Sequence, residues 1–333
     1  MSSLRGMPED VVRAILPGLR TRDASVLSGT SKALRALAVP CLYGAIKWPV
    51  TKPKYFPLNL LLRTLRENPR SAMHVTCLSL EGPKSRPQYW QEVSPTTLWS
   101  REEGPRLSSE DLQLIEGLVD AAQLSPESLW KEHVNSGSVD VYTALILALL
   151  SNLGKLALSF DYHSGTGLCD SLFEGILPSS PRSEHSTTFA SLRQVKLSAS
   201  EYDKIDNRVV TSFFYLPSIQ TTDAQLSYQK TFCWPCPTPP NAATLITLCL
   251  RGCQPDEDHL ARLLSATPSL QTLVCKTRDN VDGPGVFRRR SSAIDLTKLT
   301  YAIRQLRRTL GRLSLSITFW ASTALDTDSN EYG

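Results

Sequence analysis

Apolar residues recur along this chain in one frame, Leu-x-x-Leu-x-Leu, filled most fully by Leu245, Leu248 and Leu250 with Cys253 after a further two-residue gap. The frame returns at Leu153, Leu156, Leu158; at Leu192, Val195, Leu197; at Leu270, Leu273, Cys275; and at Leu310, Leu313, Leu315. An early copy stands at Val75, Leu78, Leu80, and a degenerate one around Leu216 and Ile219. First positions at 153, 192, 219, 245, 270 and 310 give middle intervals of 27, 26 and 25, the spacing of short stacked repeats. Each copy predicts a strand whose last two apolar residues share one face, because side chains alternate across a strand. Helical patterns fall between strands, at Asp256 to Ala266 ahead of Pro268 and at Leu296 to Leu310. Val141 to Leu150 reads as a buried helix, too short to span a bilayer. No unit can bury its own apolar face, so stacking must supply the core. The expected fold is α/β: a right-handed strand–helix solenoid with a curved parallel sheet and helices outside.

The first 46 residues follow a different period. Val11, Val12, Ile15, Leu16 and Leu19 form one apolar face at helical spacing, with Pro8 at the helix start and Glu9 and Asp10 at the positive end of its dipole. Pro17 and Gly18 end this helix. A second starts after Thr21, with Asp23 in its first turn and Val26 and Leu27 inward. Thr30 or Ser31 caps a third, which carries Leu34, Leu37 and Leu42. Three such helices bury little surface alone and tend to need a partner or a neighbouring domain.

The divisions expected are a helical module at 4–46, a linker and connecting helix at 47–72, the repeat body at 73–325 and a polar tail at 326–333. Pro49, Pro53 and Pro57 mark the linker. Residues 83–105, 179–188 and 279–292 read as loop insertions, the last holding the basic run Arg288, Arg289, Arg290, which reads as solvated. Since the last repeat is followed only by a short polar tail where solenoids carry a capping unit, a shortened gene product is one reading.

Composition narrows the class. Apolar residues at 41% and charged residues at 20% fit a folded chain. A net charge of +4 argues against a dedicated nucleic-acid binder. The first ten residues have no apolar core and carry Glu9 and Asp10, so neither export nor a membrane is expected. The eight cysteines then read as free thiols, in the cytosol or the nucleus.

Residues 7–46 resemble the F-box, a pattern of Leu-Pro-x-Glu-Val, Ile-Leu, a later Leu and Asp, then Arg-x-Leu and Leu-Tyr. It stands here as Met7-Pro8-Glu9-Asp10-Val11, Ile15-Leu16, Leu19, Asp23, Leu34-Arg35, Leu37 and Leu42-Tyr43. The departure is Met7 for Leu, which a flexible thioether tolerates. The repeat body is similar to that of F-box/leucine-rich-repeat proteins, the fungal kind with irregular repeats in particular. The resemblance implies a substrate-recognition adaptor of an SCF-type (cullin) ubiquitin ligase. The F-box binds an adaptor subunit and through it cullin, while the repeats bind a target protein. It also implies a chain that is not itself an enzyme and needs no cofactor. The adaptor-binding residues carried over are Met7, Pro8, Val11, Val12, Ile15, Leu16 and Leu19; some of these must pack inside the module. The alternative is a non-degradative scaffold in which the helices cap the solenoid.

Catalytic chemistry has no visible motif: no Gly-x-Ser-x-Gly, P-loop or dinucleotide fingerprint, and five scattered histidines (His74, His133, His163, His185, His259). Cys233, Cys236, Cys249 and Cys253 have spacing that can hold zinc. The repeat frame argues against it, turning Cys253 inward and Cys249 outward, so no metal is expected. Trp90, Trp99 and Trp130 line a pocket or pack loops onto the body.

The residues flanking the inward leucines should form the target face. They are Lys155, Ala157, Ser159; Gln194, Lys196, Ser198; Thr247, Cys249, Arg251; Thr272, Val274, Lys276; and Arg312, Ser314, Ser316. Five are cationic and none acidic. Lys196, Arg251, Lys276 and Arg312 take similar places in their units, giving either a basic stripe suited to an acidic or phosphorylated target or ordinary solvated charges.

Overall fold

A computed structural model of the chain describes residues 7–49, 58–81, 113, 116, 139–159, 168–178, 189–198, 207–226, 233–251, 257–279 and 296–319. Three helices open it: α1 (Glu9–Ile15), α2 (Thr21–Thr30) and α3 (Lys32–Tyr43). Leu16–Gly18 tightens into a 3-10 turn after α1. Ser31 caps α3, its hydroxyl accepting the Leu34 N–H at 3.2 Å. Val12, Leu16, Leu34 and Ala38 make a small core, with Leu19, Leu27, Leu37 and Leu42 packed against it. Val26, expected inward, is instead 66% exposed. Ala24 takes the buried place on α2, and a residue two positions on lies roughly 200° around the helix.

From Gly44 the chain runs straight into a sheet. The elements that follow are β1 (Ala45–Pro49), α4 (Leu58–Glu67), α5 (Pro69–His74), β2 (Cys77–Glu81), α6 (Val139–Leu149), β3 (Lys155–Ser159), α7 (Leu168–Glu174), β4 (Gln194–Ser198) and α8 (Asn207–Ser212). Then come β5 (Thr221–Gln225), β6 (Thr247–Arg251), α9 (Glu257–Ser265), β7 (Thr272–Asp279), α10 (Leu296–Gln305) and β8 (Arg312–Phe319). The eight described strands form one all-parallel sheet in chain order, β1 to β8.

Every step across the sheet uses the same joint. The Gly44 carbonyl accepts N–H bonds from both Thr76 and Cys77, and the Thr76 carbonyl accepts from Gly154 and Lys155. The carbonyls of Gly154, Arg193, Gln220, Ile246 and Gln271 continue this row to Gly311 and Arg312, with all distances between 2.8 and 3.1 Å. The shared joint fixes register. One inward row runs Ile46, Leu78, Leu156, Val195, Thr222, Leu248, Leu273, Leu313, and the next runs Trp48, Leu80, Leu158, Leu197, Ala224, Leu250, Cys275, Leu315. From β2 to β7 these side chains are buried. Helices cover this face: α4 packs on α6, α6 on α7, α7 on α8, and α9 on α10. Between β5 and β6 the described residues form no helix. There Trp234 of the proline-rich stretch packs on Phe214 and Tyr215, with ring centroids 5.9 and 6.5 Å away.

Two expectations change. The linker expected from residue 47 begins as strand β1, because Tyr43, Ile46 and Trp48 fill the apolar frame without a leucine and pack against the main core. The degenerate unit is a full strand, β5, with Ile219, Thr222 and Ala224 in the frame positions, each buried. The proposed insertions at 83–105, 179–188 and 280–292, Trp90, Trp99, Trp130 and the polar tail lie outside the described residues; Asp279 is the last residue of β7.

Thr222 is the polar member of the inward sheet rows. It is fully buried, and its hydroxyl has no hydrogen-bond partner among the described residues. Thr222→Val is expected to stabilise the fold by about 1 kcal/mol, raising the denaturant midpoint with the slope unchanged. Its row neighbour is the opposite case: Leu248→Ala is expected to cost about 2–5 kcal/mol in the same measurement. Gly44 has no room to grow, since a Cβ there would meet the Pro40 carbonyl oxygen at 2.7 Å. Gly44→Ala should therefore lower the midpoint, by about 1–3 kcal/mol.

Candidate interaction surfaces

Helix α1 has apolar residues on more of its circumference than the small module core can cover. Val12 and Leu16 face that core, and Leu19 is half-buried against it. Met7, Val11 and Ile15 remain 40%, 43% and 44% exposed, and Pro8 is exposed beside them. Of the seven adaptor-binding residues named from sequence, four are thus accessible and two serve the interior. Glu9 and Arg13 pair at 2.6 Å along this helix, an exposed i,i+4 bridge that adds little stability.

The second surface is the sheet face opposite the helices. Its middle row reads Lys47, Ser79, Ala157, Lys196, Asp223, Cys249, Val274, Ser314. Arg251 and Lys276 lie side by side in the row beyond it, and Arg312 stands opposite Thr272 in the row before it. The four cations proposed as a stripe therefore occupy three rows.

Nor is the face free of acid. Lys196 reaches Glu81 at 2.9 Å, two strands away. Its side chain must cross β3, which in the rows between them presents the small Ala157 and Ser159, both buried. Arg251 holds Asp223 on the adjacent strand in a fork, Nε to Oδ1 at 2.7 Å and Nη2 to Oδ2 at 2.6 Å. Strand β5, too poor in leucine to stand out in the sequence, supplies that Asp223. Two of the four proposed target-binding residues, Lys196 and Arg251, are thus engaged within the sheet. Lys276 and Arg312 are exposed and form no salt bridge with a described residue.

Cys249 lies amid this charge. Burial and Asp223 push its thiol up, while Arg251, Lys276 and Arg312 pull it back part of the way. Cys275, on the inward face, is pushed up to about 12 by burial and by Cys249. Cys169 is raised by complete burial and by Asp140, whose carboxylate accepts the Cys169 N–H at 3.3 Å and ties the start of α7 to the start of α6. The Tyr215 hydroxyl, pushed up to about 12 by burial and Cys236, donates to the Thr238 carbonyl at 2.9 Å.

Of the four thiols with zinc-like spacing, Cys233 is exposed, Cys236 is buried and Cys249 lies on the open face, while Cys253 lies outside the described residues. No group of three or more His, Cys, Asp and Glu that could hold a metal occurs among the described residues. No described helix is long and apolar enough to cross a membrane.

No family model matches the chain, and no curated protein matches it.

The charges around Cys249 set a measurable reactivity. Removing the negative charge in Asp223→Asn favours the thiolate, and it releases Arg251, which acts in the same direction. Alkylation of Cys249 at mildly alkaline pH, followed site by site by mass spectrometry, is expected to quicken several-fold in this variant. Exposed Cys41 and Cys233 serve as unchanged internal references.

Proposed function

We propose that this chain is the target-recognition subunit of a cullin-type ubiquitin ligase, with an F-box at its N-terminus and a leucine-rich-repeat solenoid as its body. The observation that carries this reading is the exposed apolar strip of Met7, Pro8, Val11 and Ile15. It lies on a small helical module whose residues fall in register with the F-box pattern. A strip of this kind on a seven-residue helix suits an adaptor that buries it. The repeating carbonyl joint, the in-order parallel strands and the burial of alternate strand residues support the solenoid part. A parallel sheet covered by helices on one face only is what a stacked strand–helix repeat makes.

On this reading the chain performs no bond chemistry. It binds the adaptor subunit, and through it cullin, while a target protein lies against the open sheet face. Holding the target near a charged conjugating enzyme raises its effective concentration. Lys276 and Arg312, with Arg251 once an acidic group competes for it, suit an acidic or phosphorylated target; Lys196 belongs to a separate pair with Glu81. Nothing in this role calls for a cofactor, nucleic acid or a membrane.

A second reading is a scaffold in which the module caps the sheet. It is favoured by the packing of α3 against α5 and β1 and by its direct passage through Gly44 into the first strand.

Affinity purification of the full chain with proteasome inhibition separates the two. The ligase reading expects adaptor and cullin in the eluate. Ile15→Asp should remove both while target capture persists, because a charge buried without a partner costs several kcal/mol. Pro8→Ala should weaken adaptor binding modestly. A folded Ile15→Asp variant that still brings down the adaptor would reject the assigned surface, and partners without adaptor in the wild-type eluate would favour the scaffold. The double variant Lys276→Glu with Arg312→Glu is expected to leave adaptor binding intact and reduce target capture. Unchanged capture of every partner would exclude these cations from recognition.

A further inference from the structure

The joints that align the strands also build a continuous rim where the strands begin. A second row of bonds braces it, three residues before a strand. The Asn152 side-chain amide donates to the Met73 carbonyl at 2.9 Å, and the Ser218 hydroxyl to that of Ala190 at 2.8 Å. Thr244 donates to the Pro217 carbonyl at 3.0 Å and Thr309 to that of Pro268 at 3.3 Å. Each bond ties one turn to the turn before it, so the rim's side chains stand on a braced base.

The charge on this rim has one sign. Residues 74–77, 152–155, 191–194, 218–221, 244–247, 269–272 and 309–312 close the turns and open β2 to β8, and they include no Asp or Glu. They carry Lys155, Arg193 and Arg312, and Arg307 and Arg308 lie in the turn just before Thr309. All five cations are exposed, and none forms a salt bridge with a described residue. The salt bridges that do form lie elsewhere, along helices as in Arg63–Glu67 or on the open sheet face. A lone surface cation needs no explanation, but five on one braced edge without an acid make a positive field that an anionic partner would complete.

We propose that this rim binds an extended acidic segment of another polypeptide, with carboxylates towards both of its ends. The cations fall into two groups: Lys155 and Arg193 at β3 and β4, and Arg307, Arg308 and Arg312 at β8. Four strand steps of about 4.8 Å separate β4 from β8, so the groups lie about 19 Å apart, about six residues of extended chain. Arg193 shares its row with Gln220, Ile246 and Gln271, each the carbonyl donor of its own joint. Between the two groups the rim therefore offers amides to a peptide backbone and Ile246, which is 37% exposed, to an apolar side chain. A nucleic-acid strand fits less well. It carries a phosphate at every step across this neutral gap, and its bases stack on aromatic side chains, whereas the rim residues include no Phe, Tyr or Trp. The inference goes beyond the ligase reading and stands apart from it, since it involves neither α1 nor an adaptor.

Fluorescence anisotropy of the full chain tests it at low salt with a labelled peptide, Glu-Glu-Ser-Gly-Ser-Gly-Glu-Glu. Binding is expected, weakening as salt is raised. The same residues reordered with all four acids at one end should bind less tightly. Arg307→Glu with Arg308→Glu should weaken binding by about fivefold or more. Arg193→Glu, in an interior repeat, should do the same and gives a reading that does not depend on the last turn. Lys32→Glu, at an exposed cation of α3, should change nothing. A wild-type chain that does not bind the peptide overturns the proposal. So does a loss with Lys32→Glu equal to that with the rim variants, which would mark diffuse attraction. Tighter binding of an oligouridylate than of the peptide would overturn the partner class.

Discussion

The carbonyl that accepts two N–H groups at the start of each strand is the constraint on which the remaining structure depends. It recurs from Gly44 to Gln271, and each recurrence sets where the next strand begins. Because a slip of one residue would exchange the two faces, this joint and the apolar rows are mutually reinforcing. The rows can be buried only if each strand starts in step, and each strand starts in step because its first carbonyl is already bound. Gly44 belongs to this row and to the end of α3 together, its N–H bonded to Pro40 and its carbonyl to Thr76 and Cys77. The helical module and the sheet are therefore one continuous piece of hydrogen-bonded backbone.

Register also decides the chemistry of the open face. Charges far apart in sequence become neighbours only because the strands align: Arg251 meets Asp223 on the adjacent strand, and Lys196 spans β3 to reach Glu81. The second contact depends on Ala157 and Ser159 being small, since a bulky residue at either place would block the lysine's path. The face is best described as two compensated pairs plus exposed Lys47, Lys155, Lys276 and Arg312, with Cys249 between Asp223 and Val274 in the middle row.

Much of this was readable from spacing. The strands at Leu78, Leu156, Val195, Leu248, Leu273 and Leu313 lie in the leucine frame, and the helix at 139–149 follows the apolar run. Strand β1 escaped, and β5 was legible only as a degenerate unit at Leu216 and Ile219, because burial asks for apolar bulk or small size, not for leucine. Ile46 and Trp48 serve in one, Thr222 and Ala224 in the other, and the prolines after residue 48 suggested a linker. Without the outward residues of β5 and of β2, Asp223 and Glu81 stayed out of the target face, which made it look wholly basic. Helical spacing identified the α1 residues as apolar but could not divide them, because which side meets α3 is a matter of tertiary packing. Val12 and Leu16 turned in; Met7, Val11 and Ile15 stayed out.

Fusing α3 to β1 through one tightly fitted glycine gives the molecule a ruled scale. Adjacent strands stand about 4.8 Å apart, so any outward side chain lies a whole number of such increments from the first strand, measured along the sheet. The gain or loss of one repeat would displace every later position by one graduation without altering the local shape of the face. Length can thus be adjusted in discrete notches while the N-terminal end remains the fixed zero of the scale.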